Sequence, residues 1–288
     1  MLDLSLDHVG VAVRNLDQGR AAYQRLGFNL TPRSLHSGST SPAGPVEPWG
    51  SGNHCAMFEQ GYLEVVGLTD AQRYSTVAAL LQLYQGAHIV AVGCGDAQRA
   101  YQTLRERDPE IPPAHQLQRH AAYGEDGGQT RLAQFRNIYL DRTRYPEAQW
   151  LFIEHVTPEV LWQPHLLAHP NGAVEMADVY LATDALQDAC VRYQRLFATV
   201  PASARHGGFC FRLGRGRVHL LDAEAVARWA PGAALPAPPC VAGFGIRVRA
   251  LAPLRLLLER NGVELTGDAQ EIIVAPGGTL GAIVRFFV

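Results

Sequence analysis

The sequence predicts an α+β fold made of four copies of one supersecondary unit, a βαβββ module, and three observations carry that expectation. The first is an internal repeat. "DHVGVAVRNLDQGRAAYQRLGF" from Asp7 returns as "ADVYLATDALQDACVRYQRLFA" from Ala177 at a constant offset of 170 residues. Leu16 then aligns with Leu186, and Tyr23-Gln24-Arg25-Leu26 with Tyr193-Gln194-Arg195-Leu196. Fainter copies run "AHIVAVGCGDAQRAYQTLRERD" from Ala87 and "AGFGIRVRALAPLRLLLERNGV" from Ala242. The second observation is that each copy switches from strand-like alternation to about ten residues of helical apolar spacing. The third is that shorter β-like pieces come after each helix. A length of 288 residues suits two compact domains of about 140.

Taken in order, the first module opens on "HVGVAV", passes through its helix and reaches the strands within "HCAMFEQGYLEVVG". A Gly/Ser/Pro stretch, 36 to 53, reads as an inserted loop, and 69 to 85 reads as a helix joining modules one and two. The second module carries "HIVAVG", a helix, a second insertion over 112 to 131, then "AQFRNIYLD" and "QWLFIEHV". The N-terminal domain is expected over 1–157, a Pro-, His- and Trp-rich linker over 158–173, and the C-terminal domain over 174–288. That last domain holds "GFCFRL", "GRVHLLD", "QEIIVAP" and "LGAIVRFFV" after its two helices.

Hydrophobic content of 47% and charged content of 18% are those of a globular protein with a sizeable core. A net charge of −2 without a basic stripe predicts no nucleic-acid partner. No apolar run reaches the 18 to 20 residues of a membrane span, so no membrane partner is expected. Five scattered cysteines without a CxxC pair predict reduced thiols, hence a cytoplasmic location, and the N-terminus lacks the basic and apolar regions of a secretory signal. No GxSxG, Walker A or HExxH motif is present, and "GCGDAQ" lacks the third glycine of a dinucleotide fingerprint.

Four strands each carry one candidate metal ligand: His8, Glu64, His88 and Glu154. In "HVGVAV" the valines form the core face, which places His8 on the opposite, concave face. In "GYLEVVG" Leu63 and Val65 face the helix, while Tyr62, Glu64 and Val66 face the concavity. In "LFIEHV" Leu151 and Ile153 are read as facing away, with Phe152, Glu154 and Val156 lining the cup. "HIVAVG" is apolar on both faces, so only the repeat places His88. Two imidazoles and two carboxylates make a plausible divalent-cation set. The competing reading pairs each Glu with an Arg or Tyr and makes each His a satisfied core residue.

The repeated unit with its H-x-x-x-A-V opening resembles the vicinal oxygen chelate superfamily, and "LFIEHVTPEVLWQPHLLAHPNGA" resembles its glyoxalase-like branch. The resemblance covers essentially the whole chain. It implies two tandem glyoxalase-like domains with cupped mixed sheets, and a metal where the first and last strands of paired modules converge. His8, Glu64, His88 and Glu154 match that pattern and resemble the glyoxalase I set. The resemblance further implies a divalent cofactor (Zn, Ni, Co, Mn or Fe, or none) and a metal-dependent lyase or isomerase. Such an enzyme would act on a small α-oxygenated carbonyl substrate through an enediolate. Glu154 is the expected catalytic base, with Glu64 the alternative. Asn53 and His54 are candidate substrate-binding residues, and a homodimer is a candidate assembly. Trp162, His165, His169 and Asn171 of the linker are candidates to cap the cup. Two rival readings share the fold: a metal-free protein that sequesters a drug or metabolite, and an Fe(II) extradiol-type dioxygenase.

The C-terminal half departs from the pattern. The repeat puts Asp178 at the His8 position and His219 at the Glu64 position, with Phe244 and Arg285 in the last module. Phe and Arg do not ligate a cation in the ordinary way, so this cup is expected to be metal-free, with Asp178 and His219 bonded to each other.

Overall fold

The computed structural model describes residues 2–38 and 45–288. The first half runs β1 (Ser5–Val13), α1 (Leu16–Arg25), β2 (Ser34–Gly38), β3 (Glu47–Met57), β4 (Tyr62–Leu68), α2 (Thr76–Leu83), β5 (Gly86–Gly93), α3 (Ala97–Arg107), β6 (His115–Tyr123), β7 (Gln129–Tyr139) and β8 (Gln149–His155). These strands form one mixed sheet in the order β2-β3-β4-β1-β5-β8-β7-β6. The second half repeats the plan with β9 (Ala173–Ala182), α4 (Leu186–Phe197), β10 (Ala202–Ser203), β11 (Phe209–Arg212), β12 (Arg217–Leu221) and α5 (Ala223–Trp229). It continues with β13 (Cys240–Val248), α6 (Leu251–Arg260), β14 (Thr266–Gly267), β15 (Glu271–Val274), α7 (Pro276–Thr279) and β16 (Ile283–Phe287). Its sheet order, β10-β11-β12-β9-β13-β16-β15-β14, matches the first position for position. The α+β, duplicated architecture read from the repeat is therefore the architecture observed.

Local chemistry explains the elements. The Asn15 side chain accepts from Gln18 N–H to cap α1, and Asp96 accepts from Arg99 N–H to cap α3. Each helix then lays an apolar stripe on its sheet: Leu16 and Tyr23, Ala100 and Leu104, Ala189 and Tyr193, Leu254 and Leu258. All join one continuous core with Val9, Val11, Val90, Trp150, Phe152, Val179, Phe244 and Val284, so the two sheets share an interior.

Polar contacts lock the halves together. Leu6 N–H donates to the Arg215 carbonyl at 2.8 Å, and the Trp150 indole donates to Tyr193 Oη at 2.8 Å. Glu147, 1% exposed, accepts from Tyr193 Oη at 2.8 Å and Arg192 Nη2 at 2.5 Å. Between the sheets the chain makes two short 3-10 turns, Pro158–Val160 and Pro164–Leu166.

The two expected insertions are mostly strand. Residues 115–139 form a long β6–β7 hairpin rather than a loop, turning at Gly124 and Gly127, both with positive φ. The polar run "HQLQRHAAY" hid it, because much of β6 is exposed and so lacks apolar alternation. In the Gly/Ser/Pro stretch, β2 and β3 pair with each other, while residues 39–44 lie outside the described residues. The joining helix α2 is shorter than the predicted 69–85. Among the described residues no helix is long and apolar enough to cross a membrane.

Glu147→Ala should strand the Arg192 guanidinium and the Tyr193 hydroxyl at the junction, lowering unfolding free energy by about 3 kcal/mol in urea titrations.

Candidate functional site

The N-terminal sheet curls into a cup, and strand register states which side chains enter it. On β1 and β4, His8 pairs with Tyr62, Gly10 with Glu64 and Ala12 with Val66, while Val9, Val11, Leu63 and Val65 lie in the core. On β3, Asn53, Cys55 and Met57 lie opposite Val66, Glu64 and Tyr62, hence on the same concave face. On the far wall, Tyr139, Asn137 and Phe135 of β7 pair with Leu151, Ile153 and His155 of β8. The two rims meet where Arg119 of β6 donates to Ser34 Oγ of β2 at 3.0 Å. The linker turns lie across this end, packing Val160, Leu161 and Leu166 against Cys55, Met57 and Tyr62. A cavity of about 600 Å³ remains, lined in part by Cys55, Met57, Tyr62, Arg119 and Leu161.

His8, Glu64 and Asn53 face this cup as their parity requires. His8 Nδ1 donates to Asp7 Oδ1 at 2.8 Å, and its ring stacks on Tyr62 with centroids 4.3 Å apart. Asp7 sits at a register irregularity of β1 between Leu6 and His8, and a bulge of this kind re-aims neighbouring side chains. Its carboxylate also receives His155 Nε2 at 3.1 and 3.2 Å. Burial alone would raise the Asp7 pKa, but the charge and hydrogen bond of His155, reinforced by His8, hold it well below the usual range. Glu64 is half-buried, and its Oε1 accepts from Asn53 Nδ2 at 2.5 Å. Gly10 leaves it room: a Cβ there would lie 3.2 Å from Glu64 Oε2 and 2.8 Å from Ile89 Cβ.

Glu154, His88 and His54 are not in the cup. Phe152 is fully buried in the shared core, so it is Leu151 and Ile153 that face the cup and Glu154 that faces away. Glu154 Oε2 accepts from Ala97 N–H at 2.9 Å, in the first turn of α3, where the helix dipole favours an anion. Its Oε1 accepts from Arg136 at 2.8 Å. The parity expectation failed because β8 is apolar on both faces, which leaves alternation uninformative. His88 lies at a register irregularity of β5, stacked on Tyr84 at 3.8 Å, with its Nε2 2.9 Å from the Tyr84 carbonyl. Burial pushes its pKa down to about 4, against the opposing effect of that hydrogen bond. His54 alternates with Asn53 and points away from the cup, its Nδ1 2.7 Å from the Thr31 carbonyl.

The four expected ligands therefore do not converge. Among the described residues no group of three His, Cys, Asp or Glu side chains is arranged to hold a metal ion. Where β5 and β8 should supply ligands, Ala91, Leu151 and Ile153 form an apolar cluster flanked by Ile89 and Phe135. This donor set does not fit the four-ligand divalent site that the resemblance implies.

His155, like Asp7, Asn137 and Arg119, is a cup residue that the sequence did not single out. It was masked by its neighbour Glu154, whose assumed parity excluded it. Its ring meets Trp162 edge-on at 4.8 Å, and the Trp162 indole donates to the Phe58 carbonyl at 3.0 Å, pinning the linker. His169 pins it further: Nε2 donates to the Met57 carbonyl at 2.7 Å, while Nδ1 accepts from Asn29 N–H at 3.0 Å. That pair of bonds selects the neutral ring, and burial lowers its pKa. Asn171 Nδ2 donates to the Leu26 carbonyl at 3.0 Å, whereas His165 lines the cavity.

Bonded side chains occupy the centre of the C-terminal cup, beside a smaller pocket lined in part by Arg285 and Phe287. Asp178 accepts from Arg217 at 2.5 and 2.9 Å, from His219 Nε2 at 3.0 Å and from Arg285 at 3.2 Å. The expected Asp178–His219 bond is thus present. Trp229 of α5 stacks on Tyr180 at 4.0 Å, and Phe244 lies in the shared core rather than in the cup.

A family model described as Glyoxalase-like domain matches residues 6–197, two-thirds of the chain. The chain belongs to the glyoxalase-like domain family. No functionally curated protein matches this glyoxalase-like protein. Among solved structures it is similar to a hypothetical protein from Staphylococcus aureus, at 12% identity and TM-score 0.60, covering 98% of both chains. It is also similar to a variant of 4-hydroxymandelate synthase from Streptomyces coelicolor, at 12% identity and TM-score 0.57, covering 100% of this chain and 93% of that one. A xylose isomerase-like TIM barrel/4-hydroxyphenylpyruvate dioxygenase fusion protein matches at 12% identity and TM-score 0.60, over 99% of this chain and 49% of the fusion. At such identity these likenesses show the fold alone. Fold and family together make the glyoxalase-like protein a member of the vicinal oxygen chelate superfamily.

The folded His88 pKa lies below its unfolded value of about 6.5, so its contribution to stability is present above pH 6.5 and is lost as pH falls towards 4. His88→Phe, which keeps the stack on Tyr84, should flatten the unfolding free energy across that window. Glu154→Gln should cost about 1 kcal/mol through the weakened α3 cap and Arg136 pair, leaving the cup resonances in an NMR spectrum in place.

Proposed function

We propose that this glyoxalase-like protein binds a small organic molecule directly in its N-terminal cup, without a chelated metal as intermediary. One observation carries the reading: β5 turns Ile89 and Ala91, and β8 turns Leu151 and Ile153, into the cup, and the β8 imidazole that does enter, His155, is taken up by Asp7. What remains is a concave surface with apolar and aromatic walls and a few polar groups, the usual make-up of a small-molecule site. A cavity near 600 Å³ is of the right size for such a ligand. Arg119, Gln163 and His165 are among the polar groups that line the cavity, while Glu64, Asn53 and Asn137 stand on the concave face beyond that lining. Cys55 is a wall rather than a nucleophile, because burial, aided by the Glu64 charge, pushes its thiol pKa up to about 12.

The metal-dependent lyase or isomerase that the resemblance implies ranks behind this reading. It would require Glu154 to leave Arg136 and the α3 N-terminus, and His88 to leave its stack on Tyr84. An iron dioxygenase needs two imidazoles and one carboxylate. His8 and His155 do meet at Asp7, but each gives a ring nitrogen to that carboxylate, and among the described residues no such group is arranged to hold a metal ion.

The test is a fragment screen by protein-observed NMR on untagged protein, run with and without EDTA, beside metal analysis after soaking in Zn, Ni, Mn, Co or Fe. Fragments with an apolar body should shift the Cys55, Met57 and Tyr62 resonances equally in both buffers. Stoichiometric metal that fragment binding requires, and that Glu64→Ala abolishes, would reverse the order of the two readings.

A further inference from the structure

We infer that the ligand of the N-terminal cup carries a protonated nitrogen, held by Glu64 between the amide oxygens of Asn53 and Asn137. This rests on reading the cup as a direct binding site and adds the chemical class of what it binds.

The first observation is a missing counter-charge. Among the described residues, the other buried or half-buried carboxylates each have a cationic or imidazole partner or cap a helix. Asp7 has His8 and His155, Asp70 has Arg73, and Asp108 has Arg144. Glu147, Glu154 and Glu175 have Arg192, Arg136 and Arg247. Asp178 and Glu271 share Arg285, and Asp222 caps α5. Glu64 has only a neutral amide. Arg119 and the imidazole of His36 are basic groups near it in the cup, and neither pairs with it: Arg119 is bonded to Ser34, and His36 Nδ1 lies 3.1 Å from Ser51 Oγ. A half-buried carboxylate left this way favours a cation brought from outside.

The second observation is independent of charge. Asn53 and Asn137, 4% and 6% exposed, each have a buried Oδ1 without a hydrogen-bond partner. Native structures leave few such atoms. The Asn53 orientation is not arbitrary, because the Glu64 oxygen facing it only accepts and so must meet the NH2. On the other wall, Asn137 Nδ2 donates to Tyr139 Oη at 3.1 Å, and its Oδ1 has no partner. The Glu64 charge reaches the other wall: burial raises the Tyr139 pKa, the Asn137 hydrogen bond opposes this, and the Glu64 charge adds to the rise. The cup thus presents two unpaired acceptors and one unpaired anion, and a group with several N–H donors satisfies all three.

The surroundings select an organic cation over a bare metal ion. Calcium or magnesium wants six or more oxygen ligands, whereas Ala91, Leu151, Ile153 and Phe135 occupy the adjoining surface. Those side chains suit the hydrocarbon or aromatic body of an amine, and the Tyr62 and Phe135 rings favour a nearby cation.

The test uses untagged full-length protein, 15N-labelled, titrated with a matched set: 2-phenylethylammonium, neutral 2-phenylethanol and anionic 3-phenylpropanoate. The Asn53 and Asn137 side-chain amide resonances report on the site, and calcium and magnesium salts form a separate arm. The ammonium compound should shift both amides and bind at least about tenfold more tightly than the alcohol. Glu64→Gln, which preserves shape, should erase that preference. If the alcohol or the carboxylate binds as well at the same amides, the cation assignment is wrong while direct binding in the cup stands. Divalent metal shifting these amides in place of the amine would also overturn it. If no compound perturbs any cup resonance, both readings fall. The ligand series on the unmodified protein decides the matter even if Glu64→Gln does not fold.

Discussion

Strand β1 is paired on both edges, parallel to β4 and antiparallel to β5, and nearly everything else depends on its alternation. Val9, Val11 and Val13 enter the core shared with the second sheet, which leaves His8, Gly10 and Ala12 to the cup. A one-residue slip would exchange the two sets and drive the imidazole under α1. The same alternation on β9 sends Val179 and Leu181 to the core and Asp178 and Tyr180 to the other cup. Because both valine faces belong to one interior, a change of register in either half would disturb the other.

Polar groups that the sheets bury are handled in two distinct ways. At the junction and in the C-terminal cup, carboxylates are saturated: Glu147 by Arg192 and Tyr193, Asp178 by two arginines and a histidine. Removing one partner from such a group is costly, so these contacts hold fixed geometry. In the N-terminal cup the balance differs, with acceptors left over at Glu64, Asn53 and Asn137. The duplicated halves have thus diverged in how completely their cups are filled. Trp229 stacked on Tyr180 occupies part of one, while the linker turns roof a larger cavity in the other.

Much was legible in the sequence. The repeat at an offset of 170 reappears as two sheets of identical strand order, with α4 starting 170 residues after α1. The alternation of "HVGVAV" and "GYLEVVG" correctly oriented His8 and Glu64, because one face of each strand is all aliphatic. The β6–β7 hairpin was not legible, since a wall exposed on both sides has no apolar period to read.

Residue order alone was enough for the duplicated α+β plan, the membership of the core, and two of the side chains that enter the N-terminal cup. The rest of the site depended on how the elements pack. In β8 both faces are buried, so its pattern does not tell Glu154 from His155; packing of Phe152 into the shared core made that choice. At β5 the register irregularity and the ring of Tyr84 took His88 out of the set. The physical reason is common to both. Periodicity reports a difference in environment between two faces, and where both faces are apolar, only the neighbouring elements settle which way a side chain turns.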